Sequence, residues 1–303
     1  MPLPPILSRL PLPIIGSPLF IISHPKLVIE QCKAGVVGSM PSLNARPASQ
    51  LDDWLAEITE TLAAWDREHP ESPAAPFAIN QIVHKSNDRL DQDMQLCAKY
   101  KVPIVITSLG ARTDVNDAVH AWGGVVLHDI INNAFARKAV EKGADGLIAV
   151  ASGAGGHAGT LSPFALIQEI RQWFDGPLAL SGSIATGGAV LAAQAMGADF
   201  AYIGSAFIAT DEARAAEGYK QMIDGLGHRL QQPVHRRPWQ LSSRLDRQCR
   251  AGSRSSAAKR CQQDEFRQQR CGQGLEGHLG LWPGHWCDPE GRADLRTGGT
   301  PAG

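Results

Sequence analysis

Metal-binding and redox cysteine patterns are missing from this chain. Its cysteines, Cys32, Cys97, Cys249, Cys261, Cys271 and Cys287, form no C-x-x-C pair and keep no zinc-like spacing with histidine, which argues against a structural zinc or a redox dithiol. Cys32 and Cys97 read instead as buried thiols on helices. No stretch reaches the roughly 18 apolar residues needed to cross a bilayer. The start, MPLPPILSRLPLPIIGSPLF, is broken by prolines and followed by no small-residue cleavage site, unlike a secretory leader. A soluble, cytoplasmic protein is therefore expected. Charge excess is missing too: the formal net charge is -1, so nothing electrostatic points to nucleic acid or an anionic membrane surface. That leaves a small-molecule ligand. With 303 residues, 43% of them hydrophobic, the chain can bury one large domain of roughly 200–250 residues with an appendage.

What is present is a repeated alternation. LPIIG (12–16), GVVGS (35–39), PFAIN (76–80), VPIVITS (102–108), GGVVLHD (123–129), GLIAVAS (146–152), PLALSGS (177–183) and FAYIGSAF (200–207) are short β-rich runs. Runs that are apolar on both faces suit strands of a buried parallel sheet. Between them, segments such as SQLDDWLAEITETLAAWDREH and TGGAVLAAQAMGA repeat apolar residues at three and four, as amphipathic helices do. Gly35, Gly143 and Gly197 stand just past such helices, the usual stop. Eight strand–helix units in residues 1–223 count out an α/β fold, the (β/α)8 TIM barrel. An open dinucleotide-binding sheet is the runner-up, but GSPLFI stands where its GxGxxG would be.

Past Ile223 the composition breaks. Residues 224–303 contain no Ile, Met, Tyr or Asn, one Val and one Phe, and are dense in Arg, Gln, Gly, Ser and Cys. No face repeats along them that burial could use to offset the ordering entropy, so a disordered basic tail is expected.

A barrel carries its chemistry on the loops after its strands. After the sixth run comes SGAGGHAGT, where His157 stands among glycines that include Gly155 and Gly156. Glycine lets a backbone approach a ligand, and a histidine placed there can act as a base or donor near neutral pH. The loops after the seventh and eighth runs carry Ser181, Gly182 and Ser183, then Gly204 and Ser205, the small residues from which such barrels build phosphate sites. Asn80 and the His128-Asp129 pair end their runs and are expected to point to the same face of the barrel, Asn80 and His128 as ligand contacts or loop hydrogen-bonding groups. Ser17, Pro18, Leu19 and Phe20 follow the first run and could wall a flat ring.

On these residues the chain resembles the nitronate monooxygenase family, FMN-dependent barrels formerly called 2-nitropropane dioxygenases. The likeness runs from about Leu12 to Met222 and includes VPIVITSLGAR and the Gly-rich, seventh and eighth loops. The resemblance implies FMN as cofactor and oxidation of alkyl nitronates or nitroalkanes by O2 to a carbonyl compound and nitrite. It puts the catalytic role on His157, the FMN phosphate on Ser181–Ser183, Gly204 and Ser205, and the flavin-side loop on Ser17–Phe20. Where some members carry a Gly-Gly-Met run, this chain has Gly16-Ser17-Pro18-Leu19-Phe20. A related flavin barrel that reduces enoyl thioesters with a nicotinamide nucleotide is the enzymatic alternative.

The family's usual continuation, with segments similar to SNLFTGVHGNYL and AWKDIWGSGQGIGA, is not in the tail. Codons for QQPVHRRPWQLS (231–242) and GLEGHLGLWPGHWC (274–287) read one nucleotide later can encode both segments, in order and in one frame. Tryptophan has the single codon TGG, so the shifted triplets starting within Trp239, Trp282 and Trp286 must encode glycine, which the family pattern holds there. The reading is a frame slip near Ile223. A barrel lacking its cover, binding FMN weakly or not at all, is the noncatalytic alternative.

Overall fold

The computed structural model describes residues 3–156 and 159–230, without the side chains of 224–230. His157 and the tail from residue 231 onward lie outside the described residues. The strands are β1 (Ile14–Gly16), β2 (Gly38–Pro41), β3 (Phe77–Ile82), β4 (Ile104–Ser108), β5 (Val125–Ile130), β6 (Gly146–Val150), β7 (Leu178–Ser181) and β8 (Phe200–Ile203). All pair in parallel, in the order β1-β8-β7-β6-β5-β4-β3-β2. The two edges then meet: Ile15 bridges Val37, and the Gly16 N–H donates to the Val37 carbonyl at 2.8 Å. This is the expected (β/α)8 TIM barrel.

The helices are α1 (Pro5–Ser8), α2 (Pro25–Lys33), α3 (Gln50–Glu68), α4 (Leu90–Lys99), α5 (Thr113–Ala121), α6 (Asn133–Glu141), α7 (Pro163–Arg171), α8 (Gly187–Met196), α9 (Ser205–Ile208) and α10 (Glu217–Leu230). Local chemistry marks their ends. Asn132 and Thr186 cap α6 and α8 by accepting the Phe135 and Ala189 N–H groups, and Gly197, at φ 111°, closes α8. Two Gly-Ala-Asp steps then feed the next strands. Asp145 accepts the Val126 N–H at 2.7 Å, and Asp199 accepts the Leu178 N–H at 2.9 Å and Arg171 Nη2 at 2.6 Å.

Burial divides into two layers. Ile15, Val37, Ala78, Ile104, Ile106, Leu127, Ile148, Ala179, Phe200 and Tyr202 fill the barrel, and Leu7 of α1 joins them. The opposite strand faces, such as Val105, Val126, Leu147 and Leu180, pack against the helices. Cys32 and Cys97 are buried on α2 and α4, and burial pushes both thiols up to about 12.

Every strand differs from its sequence run by a few residues at one end or both, and three of these shifts have a local backbone cause. The second strand begins at Gly38 rather than 35, because Gly35 at φ 82° still turns the chain out of α2. The seventh ends at Ser181, since Gly182 (φ 145°) and Ser183 (φ 51°) leave the extended region. The eighth ends at Ile203, and the apolar run beyond Gly204 coils into α9. Helix α10 runs on through the composition break to Leu230.

Candidate active site

Period-two alternation decides which strand residues enter the mouth. Ile104 and Ile106 point inward, so Ser108 at the end of β4 does too; Leu127 carries Asp129 in phase on β5, Ala78 carries Asn80 on β3, and Phe200 carries Tyr202 on β8. These polar groups connect. Asn80 Nδ2 donates to the Ile106 carbonyl at 3.0 Å and to Ser108 Oγ at 2.8 Å, and Ser108 Oγ donates to Asp129 Oδ2 at 2.6 Å. The other carboxyl oxygen, Oδ1, is buried without a partner among the described residues. Burial raises Asp129 to about 6, against the lowering effect of the Ser108 bond. Burial also holds the Tyr202 hydroxyl well above its usual range; the Asp129 charge adds to this and a hydrogen bond with Ser17 opposes it.

His128 does not share this face. It alternates with Asp129, lies in phase with Val126 and Ile130 of the helix-facing layer, and meets Thr107 Oγ1 through Nδ1 at 2.6 Å. Burial lowers it to about 4, so the ring is neutral at neutral pH. The shared direction expected for His128 and Asp129 is therefore corrected: adjacent residues of one strand point to opposite faces.

Loops 1, 6, 7 and 8 do come together. Gly153, at φ 90°, offers its carbonyl to the Ser183 N–H at 3.0 Å and the Ser183 hydroxyl at 3.1 Å, tying the Gly-rich loop to Ser181–Ser183. A Cβ on Gly182 would stand 2.8 Å from the Ser152 carbonyl, and one on Gly204 would stand 3.2 Å from Leu19 and 3.6 Å from Ser17. Among the described residues, nothing lies within 4 Å of a Cβ position on Gly155 or Gly156. Ser17 N–H donates to the Ile203 carbonyl at 2.7 Å, and Ser205 opens α9 directly beyond Gly204. Ser17 and Leu19 thus begin a wall beside the eighth loop.

Asn44 shapes that wall. Its Nδ2 donates to the Leu19 and Ser23 carbonyls at 2.9 and 2.8 Å, and its Oδ1 accepts the Ile21 N–H at 2.9 Å. The clamp holds Ile21 at φ 58°, a strained conformation for a β-branched residue. Phe20 and Ile21 are left 60% and 61% exposed on the rim, with the Arg46 guanidinium 5.3 Å from the Phe20 ring.

Sequence reasoning missed Ser108 as part of the site, placed Asp129 there only together with His128, and missed Tyr202 and Asn44. Ser108, Asp129 and Tyr202 carried a signal, being in phase with Ile104, Leu127 and Phe200 along their strands. Asn44 carried none, because its partners lie more than 20 residues away.

The sequence model of the nitronate monooxygenase family matches residues 56–228. This chain belongs to that family. A nitronate monooxygenase of Neurospora crassa is 26% identical over 242 residues, covering 69% of this chain and 63% of that protein. The chain thus spans less than two thirds of that relative. A solved structure of FabK from Thermotoga maritima is 26% identical with a TM-score of 0.63, covering 72% of this chain and 66% of that one. A nitroalkane oxidase from Streptomyces ansochromogenes shares the fold at a TM-score of 0.63 and 24% identity, with 71% and 72% of the two chains covered. Among the described residues no helix is long and apolar enough to cross a membrane, and no cluster of metal-ligating side chains occurs.

Proposed function

We propose that this chain binds FMN at the barrel mouth and oxidises alkyl nitronates or nitroalkanes with O2 to a carbonyl compound and nitrite. Family membership carries the reading, because the match over 56–228 takes in β3 to β8 and their loops. The residues suit a flat, phosphate-bearing group. Among the described residues nothing crowds Gly155 and Gly156, and the floor offers a buried acceptor with no partner. Ser181, Gly182, Ser183, Gly204 and Ser205 would hold the phosphate, Ser17, Pro18 and Leu19 would wall the ring, and Asn80 would belong to the floor. His128 faces the helices and is left out of this set.

Bound FMN supplies the electron-accepting chemistry, and the protein supplies orientation and electrostatics. His157 takes the proton from the α-carbon of a neutral nitroalkane, or orients a nitronate that arrives as an anion. The apolar rim formed by Phe20 and Ile21 limits water at the mouth.

The test is the visible spectrum of the purified chain through gel filtration, followed by nitrite release from an alkyl nitronate without any nicotinamide nucleotide. A flavin band with nitrite release is expected; a chain that takes up no added FMN overturns the reading. The likeness to FabK supports a second reading, a flavin-dependent enoyl thioester reductase, which nicotinamide-nucleotide oxidation driven by an enoyl thioester would reveal. Residues 224–303, read as out of frame, would deprive the flavin of its cover and lower activity. An intact frame in DNA reads across the Ile223 junction, with no shifted version encoding the family segments, would overturn that part.

A further inference from the structure

We propose that Asp129 is an additional cofactor contact, its unpartnered oxygen accepting a hydrogen bond from an N–H or O–H of the bound flavin. This rests on the FMN reading above. Several side chains leave a buried polar atom without a partner among the described residues, including His24, Gln31, Arg89, Asp93 and Asn116. Asp129 alone among these stands at the C-terminal end of a strand in the inward phase, where the mouth opens.

The direction of its hydrogen bonds defines what it lacks. Asn80 donates to Ser108, and Ser108 donates to Asp129 Oδ2, so both neighbours favour the carboxylate and leave Oδ1 as an acceptor. A buried acceptor without a donor is costly to the free protein, and a ligand donor removes that cost. The group that binds there therefore carries a donor, as the N–H edge and the hydroxylated chain of a flavin nucleotide both do. Ser108 and Asn80 act as positioning residues. Among the described residues, the other titratable group facing Asp129 is Tyr202, whose raised pKa keeps it protonated and uncharged through neutral pH.

Asp129→Ala separates this role from a structural one. The FMN dissociation constant is read by quenching of flavin fluorescence, and the unligated proteins are compared by thermal melting. The contact predicts at least tenfold weaker FMN binding at pH 7.5, with a melting temperature equal to or above that of wild type. Ser108→Ala, which leaves the carboxyl in place, weakens binding less. The FMN phosphate titrates near pH 6 itself, so the pH effect is taken as the difference between wild-type and Asp129→Ala curves. That difference grows as pH rises through about 6, the value of Asp129. Unchanged FMN affinity in Asp129→Ala, or a difference independent of pH, overturns the contact while leaving the FMN reading intact. A wild-type chain that takes up no FMN overturns both.

Discussion

Replacing Asn44 with Ala removes the clamp on the first loop. Three hydrogen bonds are lost, from Nδ2 to the Leu19 and Ser23 carbonyls and from the Ile21 N–H to Oδ1. At about 0.5–1.5 kcal/mol net each, they sum to roughly 1.5–4.5 kcal/mol. Against that stands the strain of Ile21 at φ 58°, of order 1–3 kcal/mol, which the freed loop can release. The balance is a destabilisation of about 1–2 kcal/mol, worth roughly 2–8 °C of melting temperature for a domain of this size. Because the loop can open without unfolding the barrel, the larger effect is local. Hydrogen exchange at the Ile21 amide should speed by at least tenfold, and FMN affinity should fall as the Ser17–Leu19 wall loosens. A variant with wild-type Ile21 protection and unchanged melting would refute the claim that Asn44 holds this loop.

Gly38→Ala places a Cβ 2.3 Å from the Val28 carbonyl oxygen and 2.9 Å from Cys32 Sγ; a backbone oxygen yields little, so urea unfolding should show a loss of about 2–4 kcal/mol, and a loss below about 0.5 kcal/mol would contradict the close approach of β2 to α2. Acid titration of stability separates two buried groups. Asp129, raised from 3.8 to about 6, binds more protons folded than unfolded between those values, so its cost is full above pH 6 and relieved on acidification; His128, lowered from 6.5 to about 4, does the reverse. Asp129→Asn should therefore gain stability at pH 7.5, lose that gain near pH 4, and expose a steeper loss below pH 6.5 that His128→Gln removes. A pH-independent gain would contradict the burial of the carboxyl. His157→Ala should keep FMN and lose about 10²–10⁴ in turnover of neutral nitroalkanes; full activity would rule the histidine out as the base.

Much of the architecture was legible along the chain. Eight β-rich runs alternating with three-and-four periodicity count out the barrel, because a strand buried on both faces and a helix buried on one leave different patterns. The glycines and small residues after the sixth, seventh and eighth strands locate the mouth, because a backbone can approach a ligand or another loop only where no Cβ stands. Where each run ends was less legible: GSAF continues an apolar run by composition, yet Ser205 starts α9 beyond Gly204.

The roles of single polar residues were decided by the tertiary structure. His128 and Asp129 are neighbours in sequence, and strand phase sends one to Thr107 in the helix-facing layer and the other to the floor of the mouth. The three bonds of Asn44 close across more than 20 residues and set loop 1 in a conformation that Ile21 would not adopt alone. Periodicity reports which face of an element is buried, so it locates the barrel and its open end. Which buried polar group finds a partner, and which is left with a free oxygen, depends on what the neighbouring strand presents at the same height, and only the closed sheet brings those strands side by side.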